Sequence, residues 1–329
     1  MENISSALLD WFYKNQRSLP FRTDPSPYHV WLSEIMLQQT RVSAALPYYE
    51  RFLAALPDIP ALAACEEEKL HKLWEGLGYY SRVRNLQKAA KLVCAQYGGE
   101  LPADYDALRA LPGIGDYTAG AIASISFGLP VPAVDGNVLR VFSRLYNDDR
   151  LITDPKVKRA FTARVMEHQP PAAPGDYNQA LMELGALVCV PNGAPLCAQC
   201  PLAHLCAAHA AGTALTLPRK AAPKARRIEP VTLALVRSPE GVLLQQRPEK
   251  GLLAGLWQPA HGRLSLHGRA PTRPRRLRLG QPGTAGSRVH PARCVQGVPQ
   301  TAGRCILTSF VQVDENLRIG SCNFFAFRV

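Results

Sequence analysis

The sequence predicts a mainly α-helical domain over residues 1–214, a linker over residues 215–230 and a smaller, partial α/β C-terminal part. In the first domain, apolar residues recur at helical spacing and strand-like alternation is scarce. The segment LTLPRKAAPKARRIEP mixes proline with basic residues and has no periodicity, which is typical of linkers. Beyond it, apolar residues alternate with period two, which indicates strands.

Two long helical patterns organise the first domain. The stretch YHVWLSEIMLQQTRVSAALPYYERFLAAL, residues 28–56, has apolar residues at helical spacing and contains Pro47. The stretch EEEKLHKLWEGLGYYSRVRNLQKAAKLVCAQYGG, residues 66–99, has the same period and stops at Gly98-Gly99, as a helix end does. Both patterns favour amphipathic helices around one core.

The C-terminal part begins with an ordered pattern and then loses it. VTLALVRS, a PEG turn and VLLQQRP predict a β-hairpin within residues 231–257. Residues 258–329 are rich in Arg, Pro and Gly and lack a periodic apolar face, so we expect a poorly ordered tail. This composition fits either a shifted reading frame or a natural disordered basic tail.

Charge and hydropathy limit the class of protein. The net charge is +12, but eleven arginines and two acidic residues give residues 258–329 a charge of +9 and leave only +3 elsewhere. Evidence for a polyanionic partner must therefore come from motifs rather than from net charge. Since no apolar run is long enough for a bilayer and MENISSALLDWF lacks a signal-peptide pattern, we expect a cytoplasmic, bacterial, nucleoid-associated protein without a membrane partner.

The segment ALRALPGIGDYTAGAIASISFG predicts two helices joined by a glycine turn. Gly113 and Gly115 allow positive φ and a close approach of the backbone to a phosphate. The following helix begins near Asp116, and its N-terminal N–H groups and dipole favour an anion. This hairpin fits DNA-backbone binding, although an ordinary helix–turn–helix connection uses glycine in the same way.

Two carboxylates stand in different environments. Glu34 lies within the otherwise apolar helix VWLSEIMLQQT, where burial would raise the pKa of its carboxyl. Asp135 lies just before the periodic helix of VDGNVLRVFSRL, where an anion is favoured. A protonated acid and an ionised carboxylate are what N-glycosidic cleavage requires. The structural alternatives are a buried Glu satisfied by a neighbour such as Arg41, and a helix-capping Asp.

Four of the nine cysteines fall within 18 residues, at Cys189, Cys197, Cys200 and Cys206. Without a secretion signal, this clustering indicates metal binding rather than disulfides. Four thiolates suit either a [4Fe–4S] cluster or zinc.

Taken in order, these motifs resemble the A/G-specific adenine DNA glycosylase (MutY) family of endonuclease III-like helix-hairpin-helix enzymes. The resemblance covers about residues 8–210 and rests on WLSEIMLQQT, GLGYYSRVRNL, LPGIGDYTAGAIASISFG, VDGNVLRV, NQALMELGALVC and the cysteine loop. It implies a helix-hairpin-helix DNA glycosylase fold with a four-cysteine iron–sulfur loop, and a monomer that binds double-stranded DNA. It also implies excision of adenine mispaired with 8-oxoguanine or guanine.

The resemblance also implies residue roles. The general acid falls on Glu34, the catalytic aspartate on Asp135, and two supporting active-site residues on Tyr117 and Asn137. The implied DNA- and base-binding residues are Arg17, Arg22, Gln39, Thr40, Tyr79, Gly113, Gly115 and Gln179, and the implied ligands of a [4Fe–4S] cluster are Cys189, Cys197, Cys200 and Cys206. Glu34 would protonate N7 of adenine, Asp135 would stabilise or capture the sugar cation, and water would complete hydrolysis to an abasic site.

This sequence departs from the family pattern in several places. Seven residues separate Cys189 from Cys197 where six are usual, Phe21 replaces a common Trp, and Leu139 replaces a Lys seen in some members. Residues 231–257 resemble the start of a Nudix-like lesion-recognition domain whose continuation looks truncated or frameshifted, so we expect weaker 8-oxoguanine discrimination.

Two rival functions follow from the residues. A bifunctional glycosylase and lyase of the endonuclease III type uses a Lys nucleophile in the hairpin, where this chain has Tyr117. A weakly active or inactive DNA-binding protein is the second rival, because of the altered C-terminus.

Overall fold

A computed structural model of the chain divides it into two compact units, residues 1–223 and 224–329. The structure describes residues 3–222 and, in the second unit, residues 230–234, 237–238, 241–248, 251, 255–261, 277–280 and 310–314. The boundary at residue 223 falls within the predicted linker. The first part of that linker belongs to the first unit, because Leu217 is buried and the Arg219 carbonyl accepts a hydrogen bond from Ile152 N at 3.1 Å.

The first unit is helical, as the sequence predicts. Its α-helices are α1 Ile4–Asn15, α2 Pro20–Thr23, α3 Pro27–Leu37, α4 Val42–Ala55, α5 Ile59–Ala64, α6 Glu67–Trp74, α7 Ser81–Tyr97, α8 Tyr105–Ala110, α9 Asp116–Phe127, α10 Gly136–Leu145, α11 Pro155–His168, α12 Pro174–Leu187 and α13 Ala207–Ala210. Two 3-10 turns, Cys197–Gln199 and Ala203–Leu205, lie in the cysteine loop. In the part of the chain that the structure describes, no helix combines the length and hydropathy needed to cross a bilayer.

Each of the two long helical patterns is broken into separate helices. The pattern over residues 28–56 is interrupted between α3 and α4, where Gln39 has a φ of 60°. The pattern over residues 66–99 is interrupted between α6 and α7, where Gly76 and Gly78 have φ values of 102° and 68°. Apolar periodicity continues through these short turns, so it predicts the buried face correctly but not the breaks.

The helices of the first unit pack around two clusters of buried apolar side chains. The first cluster draws on α3 to α9 and includes Trp31, Phe52 and Trp74, all fully buried. The second cluster draws on α1, α10, α11 and α12 and includes Phe142 and Tyr177. Helices α3, α9, α10 and α12 therefore bring residues far apart in sequence to one place between the two clusters.

The described part of the second unit is a sheet with antiparallel pairings. Its strands are β1 Pro230–Ala234, β2 Arg237–Ser238, β3 Gly241–Gln246, β4 Trp257–His261, β5 Leu277–Gly280 and β6 Phe310–Asp314. The predicted hairpin forms only between β2 and β3, because β1 pairs with β4 and β6 instead. Local alternation identifies strands but not these distant partners. Apart from β4 to β6, the predicted tail over residues 258–329 lies outside the described residues, and its poor order stays a prediction.

Candidate active site

A cavity of about 840 Å³ opens between the two core clusters. Eight of the residues predicted to serve the site line this cavity: Arg17, Arg22, Glu34, Thr40, Tyr117, Asp135, Asn137 and Gln179. They come from α2, α3, α9, α10 and α12 and from the segments that join the helices. The fold thus brings the proposed acid, the proposed aspartate and their supporting residues together.

Glu34 lies on α3 with 9% of its surface exposed. Burial, together with the nearby Asp135, raises the pKa of its carboxyl to about 7, although Tyr117 and Arg22 act to lower that pKa. Desolvation dominates because the charged form loses more hydration than the neutral form. Near neutral pH, Glu34 is therefore able to hold a proton and to release it, as a general acid must.

Tyr117 stands on the first turn of α9, beside Glu34. Its hydroxyl donates a hydrogen bond to Met182 Sδ at 3.0 Å. The hydroxyl also interacts with the Glu34 carboxyl, and burial together with that carboxyl holds the pKa of Tyr117 well above its usual value. The single Tyr117 proton has two possible acceptors, Met182 Sδ and the ionised Glu34 carboxylate, and donation to the carboxylate acts to lower the pKa of Glu34.

Asp135 is the N-cap residue of α10. Its Oδ1 accepts hydrogen bonds from the backbone N–H groups of Asn137 and Val138, both at 2.8 Å, and its Oδ2 accepts one from Asn137 Nδ2 at 2.6 Å. Burial has the largest effect and holds the pKa of Asp135 above its usual value, although these N–H donors and Arg140 act to lower it. Because each of these partners is a donor, the arrangement suits the ionised carboxylate. Helix capping and catalysis are thus compatible roles here.

Asn137 connects the aspartate to the cysteine loop through Arg140. The Asn137 Oδ1 accepts a hydrogen bond from an Arg140 terminal nitrogen at 2.8 Å. Arg140 also donates to the carbonyl oxygens of Gly185 at 2.8 Å and Cys189 at 2.7 Å. A Cβ at Gly185 would lie 2.7 Å from Asn137 Cβ, so this close approach of α12 to α10 requires glycine.

The structure adds Glu183, which the sequence analysis missed, to the cavity wall. Its side chain is 1% exposed and binds two guanidinium groups, with Arg17 at 2.6 Å and Arg22 at 2.9 Å from Oε2. Burial raises the pKa of Glu183, but its hydrogen bonds to the two arginines outweigh burial and bring the pKa to about 2. Arg17 and Arg22 therefore reach the cavity as partners of Glu183.

Four other predicted DNA-binding residues lie outside the cavity lining: Gln39, Tyr79, Gly113 and Gly115. Gln39 is exposed, and Tyr79 is 62% exposed. The predicted hairpin between α8 and α9 is confirmed. Gly113 has a φ of 81°, and a Cβ there would lie 2.8 Å from Asn85 Cβ, so the turn needs glycine for conformation and for space.

The four clustered cysteines are free, half-buried thiols. Burial, together with the other three sulfurs, raises the pKa of Cys200 to about 11. N–H groups face the sulfurs, including an Arg144 terminal nitrogen 3.2 Å from Cys189 Sγ. Such donors suit cluster thiolates, so the donor chemistry fits a centre with four cysteine ligands. Within the described residues, however, no three His, Cys, Asp or Glu side chains converge closely enough to hold a metal ion.

Comparisons with known proteins find relatives among DNA glycosylases and base excision repair proteins. The sequence model of the HhH-GPD superfamily base excision DNA repair proteins matches residues 32–167. The chain is 38% identical over 306 residues to the adenine DNA glycosylase of Mus musculus, which covers 77% of this chain and 59% of the relative. It is also 38% identical over 206 residues to the adenine DNA glycosylase of Buchnera aphidicola subsp. Acyrthosiphon pisum, covering 62% and 59% respectively. Over most of its length the chain is therefore similar to adenine DNA glycosylases, and residues 32–167 carry the HhH-GPD pattern of base excision DNA repair proteins.

Solved structures confirm the predicted endonuclease III-like helix-hairpin-helix glycosylase fold. A thermostable thymine-DNA glycosylase aligns with a TM-score of 0.57 and 25% identity, covering 63% of this chain and 95% of that chain. Endonuclease III in a non-covalent DNA complex aligns with a TM-score of 0.53 and 25% identity, covering 64% and 96%. The chain spans 59% of the mouse relative and 56% of the human one. The Nudix-like interpretation of residues 231–257 stays a prediction.

Proposed function

We propose that the chain is a monofunctional adenine DNA glycosylase of base excision repair, acting on adenine mispaired with 8-oxoguanine or guanine. The observation that carries the proposal is the placement of Glu34, with its pKa raised to about 7, and Asp135 in one cavity. The adenine DNA glycosylase relatives support the choice of adenine as the excised base.

The side chains divide the reaction between them. Neutral Glu34 donates its proton to N7 of adenine, and the bond between N9 and C1′ of deoxyribose breaks with its electron pair going to the base. Asp135, ionised and held by its N–H donors, stabilises the positive charge that develops on the sugar. Water then adds to C1′, and its proton passes to the Glu34 carboxylate, which restores the acid. The products are free adenine and an abasic site.

The proposed substrate is duplex DNA, and the surface beside the cavity offers a binding place for its phosphates. No side chain caps the first turn of α9 after Gly115, so its N–H groups are available to a phosphate. An adenine must leave the base stack to reach Glu34, and the cavity volume of about 840 Å³ accommodates an extruded base. The protein acts on DNA as a monomer in the bacterial cytoplasm.

The cysteine loop holds a [4Fe–4S] cluster in this proposal, with Cys189, Cys197, Cys200 and Cys206 as ligands. When bound, the cluster would supply structural support by tying the loop together. Anaerobic reconstitution of the full chain should yield about four iron atoms per chain. Cys200→Ser should lose iron, and Cys94→Ser, a half-buried cysteine of α7, should retain it. Stoichiometric zinc, or an iron-free wild type, would refute the assignment.

The proposed function is tested by single-turnover assays on duplexes with adenine opposite 8-oxoguanine, guanine or thymine. Alkali-dependent strand breaks should appear at adenine opposite 8-oxoguanine and guanine, and be fewest opposite thymine. DNA binding without breaks would favour the inactive binder.

The bifunctional alternative makes a different prediction in the same assay. A lyase forms a Schiff base through an amine, and Tyr117 supplies none in the hairpin. We therefore expect no borohydride-stable adduct between the protein and the cleaved duplex, and strand breaks only after alkali. A trapped adduct that survives denaturing electrophoresis would overturn the monofunctional assignment.

A further inference from the structure

Arg82, on the first turn of α7, makes an unusual set of hydrogen bonds. Its two terminal nitrogens, with four N–H bonds between them, lie within hydrogen-bond distance of five acceptors, and all five are backbone carbonyl oxygens. The side chain is half-buried, and its guanidinium also lies 5.3 Å from the ring centroid of Trp74 and 5.6 Å from that of Tyr79. One cation thus joins separate stretches of backbone that lie far apart in sequence.

The first stretch is the C-terminal end of α3, the helix that carries Glu34. One Arg82 nitrogen lies 2.8 Å from Ile35 O, 3.1 Å from Met36 O and 2.8 Å from Gln38 O, and its two N–H groups are shared among these three oxygens. Carbonyls at a helix end lack partners within the helix and carry its negative dipole end, so a cation binds there favourably. Arg82 therefore fixes the point where the chain leaves α3 for Gln39.

The second stretch is the turn between α6 and α7. The other Arg82 nitrogen donates to Leu77 O at 3.0 Å and Gly78 O at 3.3 Å. Tyr79 follows at once with a φ of 47°, and Gln39 in the first stretch has a φ of 60°. A positive φ is unfavourable for residues other than glycine, and it persists only where the surrounding structure stabilises it.

We propose that Arg82 is a positioning residue that holds Gln39 and Tyr79 in register with the helix that carries Glu34. Reading of the base opposite adenine and proton donation to adenine then depend on the same guanidinium. The inference rests on the proposed function, which assigns Glu34 to catalysis, and on the family resemblance, which implies that Tyr79 lies beside the 8-oxoguanine opposite adenine and Gln39 near it. A lysine cannot replace Arg82, because an ammonium presents three donors from one point rather than a planar fork.

The test compares Arg82→Lys with the wild-type chain in single-turnover excision of adenine opposite 8-oxoguanine and opposite guanine. We expect the ratio of the two rates to fall about tenfold or more, since displacements of about 1 Å cost up to about a hundredfold in rate. In combination with Tyr79→Ala, Arg82→Lys should add little, because both changes remove the same positioning. Arg51→Lys is the matched control, since Arg51 also stacks on a tyrosine and donates to a carbonyl, and it should leave the ratio unchanged.

If Arg82 had a purely structural role, Arg82→Lys would lower both excision rates by the same factor, or would lower only the midpoint of unfolding. Its effect would then add in full to the effect of Tyr79→Ala. Either result overturns the inference. Arg82→Gln, assayed in parallel, should also lower the ratio of the excision rate opposite 8-oxoguanine to the rate opposite guanine. Failure of both Arg82 variants to fold would overturn it too, because Arg82 would then serve the core rather than the two loops. A wild-type chain that releases no adenine refutes the proposed function itself, whereas an active wild type with an unchanged Arg82→Lys ratio refutes only this inference.

Discussion

Glu34→Gln should lower the single-turnover rate of adenine release by about 10²- to 10⁴-fold, the usual contribution of a general acid. Glutamine keeps the size of the side chain and its place in the cavity but has no acidic proton. DNA binding should survive, because Glu34 lines the cavity proposed for the extruded base rather than the surface proposed for the DNA backbone. Glu50→Gln, at an exposed position on α4, is the matched control and should retain the wild-type rate. A Glu34→Gln chain with more than a tenth of the wild-type rate would remove Glu34 from the mechanism.

The pH dependence of the wild-type chain follows from the same carboxyl. The Glu34 pKa is raised to about 7, so the acid form predominates below pH 7 and is lost above it. The rate of base release should therefore fall about tenfold per pH unit once the pH exceeds about 7. A single-turnover profile between pH 6 and pH 9 measures this directly. A rate that rises over this interval would contradict proton donation by Glu34.

The free energy of unfolding should also fall as the pH rises. The folded chain holds the Glu34 proton up to about pH 7, whereas the unfolded chain releases it near 4.5, the ordinary value. Stability is therefore lost as the pH rises through this window, and by pH 8 the loss is on the order of 3 kcal/mol. Glu34→Gln removes this loss, so its free energy of unfolding in urea should exceed that of the wild type at pH 8 and approach it at pH 5.

The paired acids were predictable because each has a local signal in the sequence. A carboxylate inside an apolar helix marks Glu34, and a capping position before a periodic helix marks Asp135. Glu183 carries the first signal too, within NQALMELGAL, and it binds two arginines of the cavity. A charge placed in an apolar helix must find partners, so every such residue points to a site or an ion pair.

Arg82 has no comparable signal. Its partners are backbone carbonyls within residues 35–38 and 77–78. Every residue type has such a carbonyl, so the side chains at these positions do not indicate the contact. Only the packing of α3 against the α6–α7 turn creates this binding site for a guanidinium. The pairing of β1 with β6 could not be predicted from the sequence for the same reason, since about 80 residues separate the paired positions. Local periodicity specifies which face of a helix or strand is buried, whereas long-range packing determines which other elements contact that face.

Asp135→Asn should lower the rate of adenine release by about 10²- to 10³-fold, the loss expected for one preorganised electrostatic contact. The amide oxygen still accepts from the N–H groups of Asn137 and Val138, so the cap of α10 is retained. Asp154→Asn is the matched control, because Asp154 caps α11 through Lys156 N without lining the cavity. Asp135→Asn with wild-type activity would show that Asp135 serves only as a cap.

The same substitution should also cost about 1–3 kcal/mol of stability, for a reason separate from catalysis. The new amide nitrogen would face Asn137 Nδ2, a second donor, and Asn137 cannot turn because its oxygen accepts from Arg140. Adding Asn137→Asp restores an acceptor opposite that nitrogen and keeps the partner of Arg140. Urea unfolding should show stability recovered in this double variant, while single-turnover assays should still find its rate lowered about 10²- to 10³-fold. Activity that returned with stability would show that catalysis does not require the carboxylate at position 135 itself.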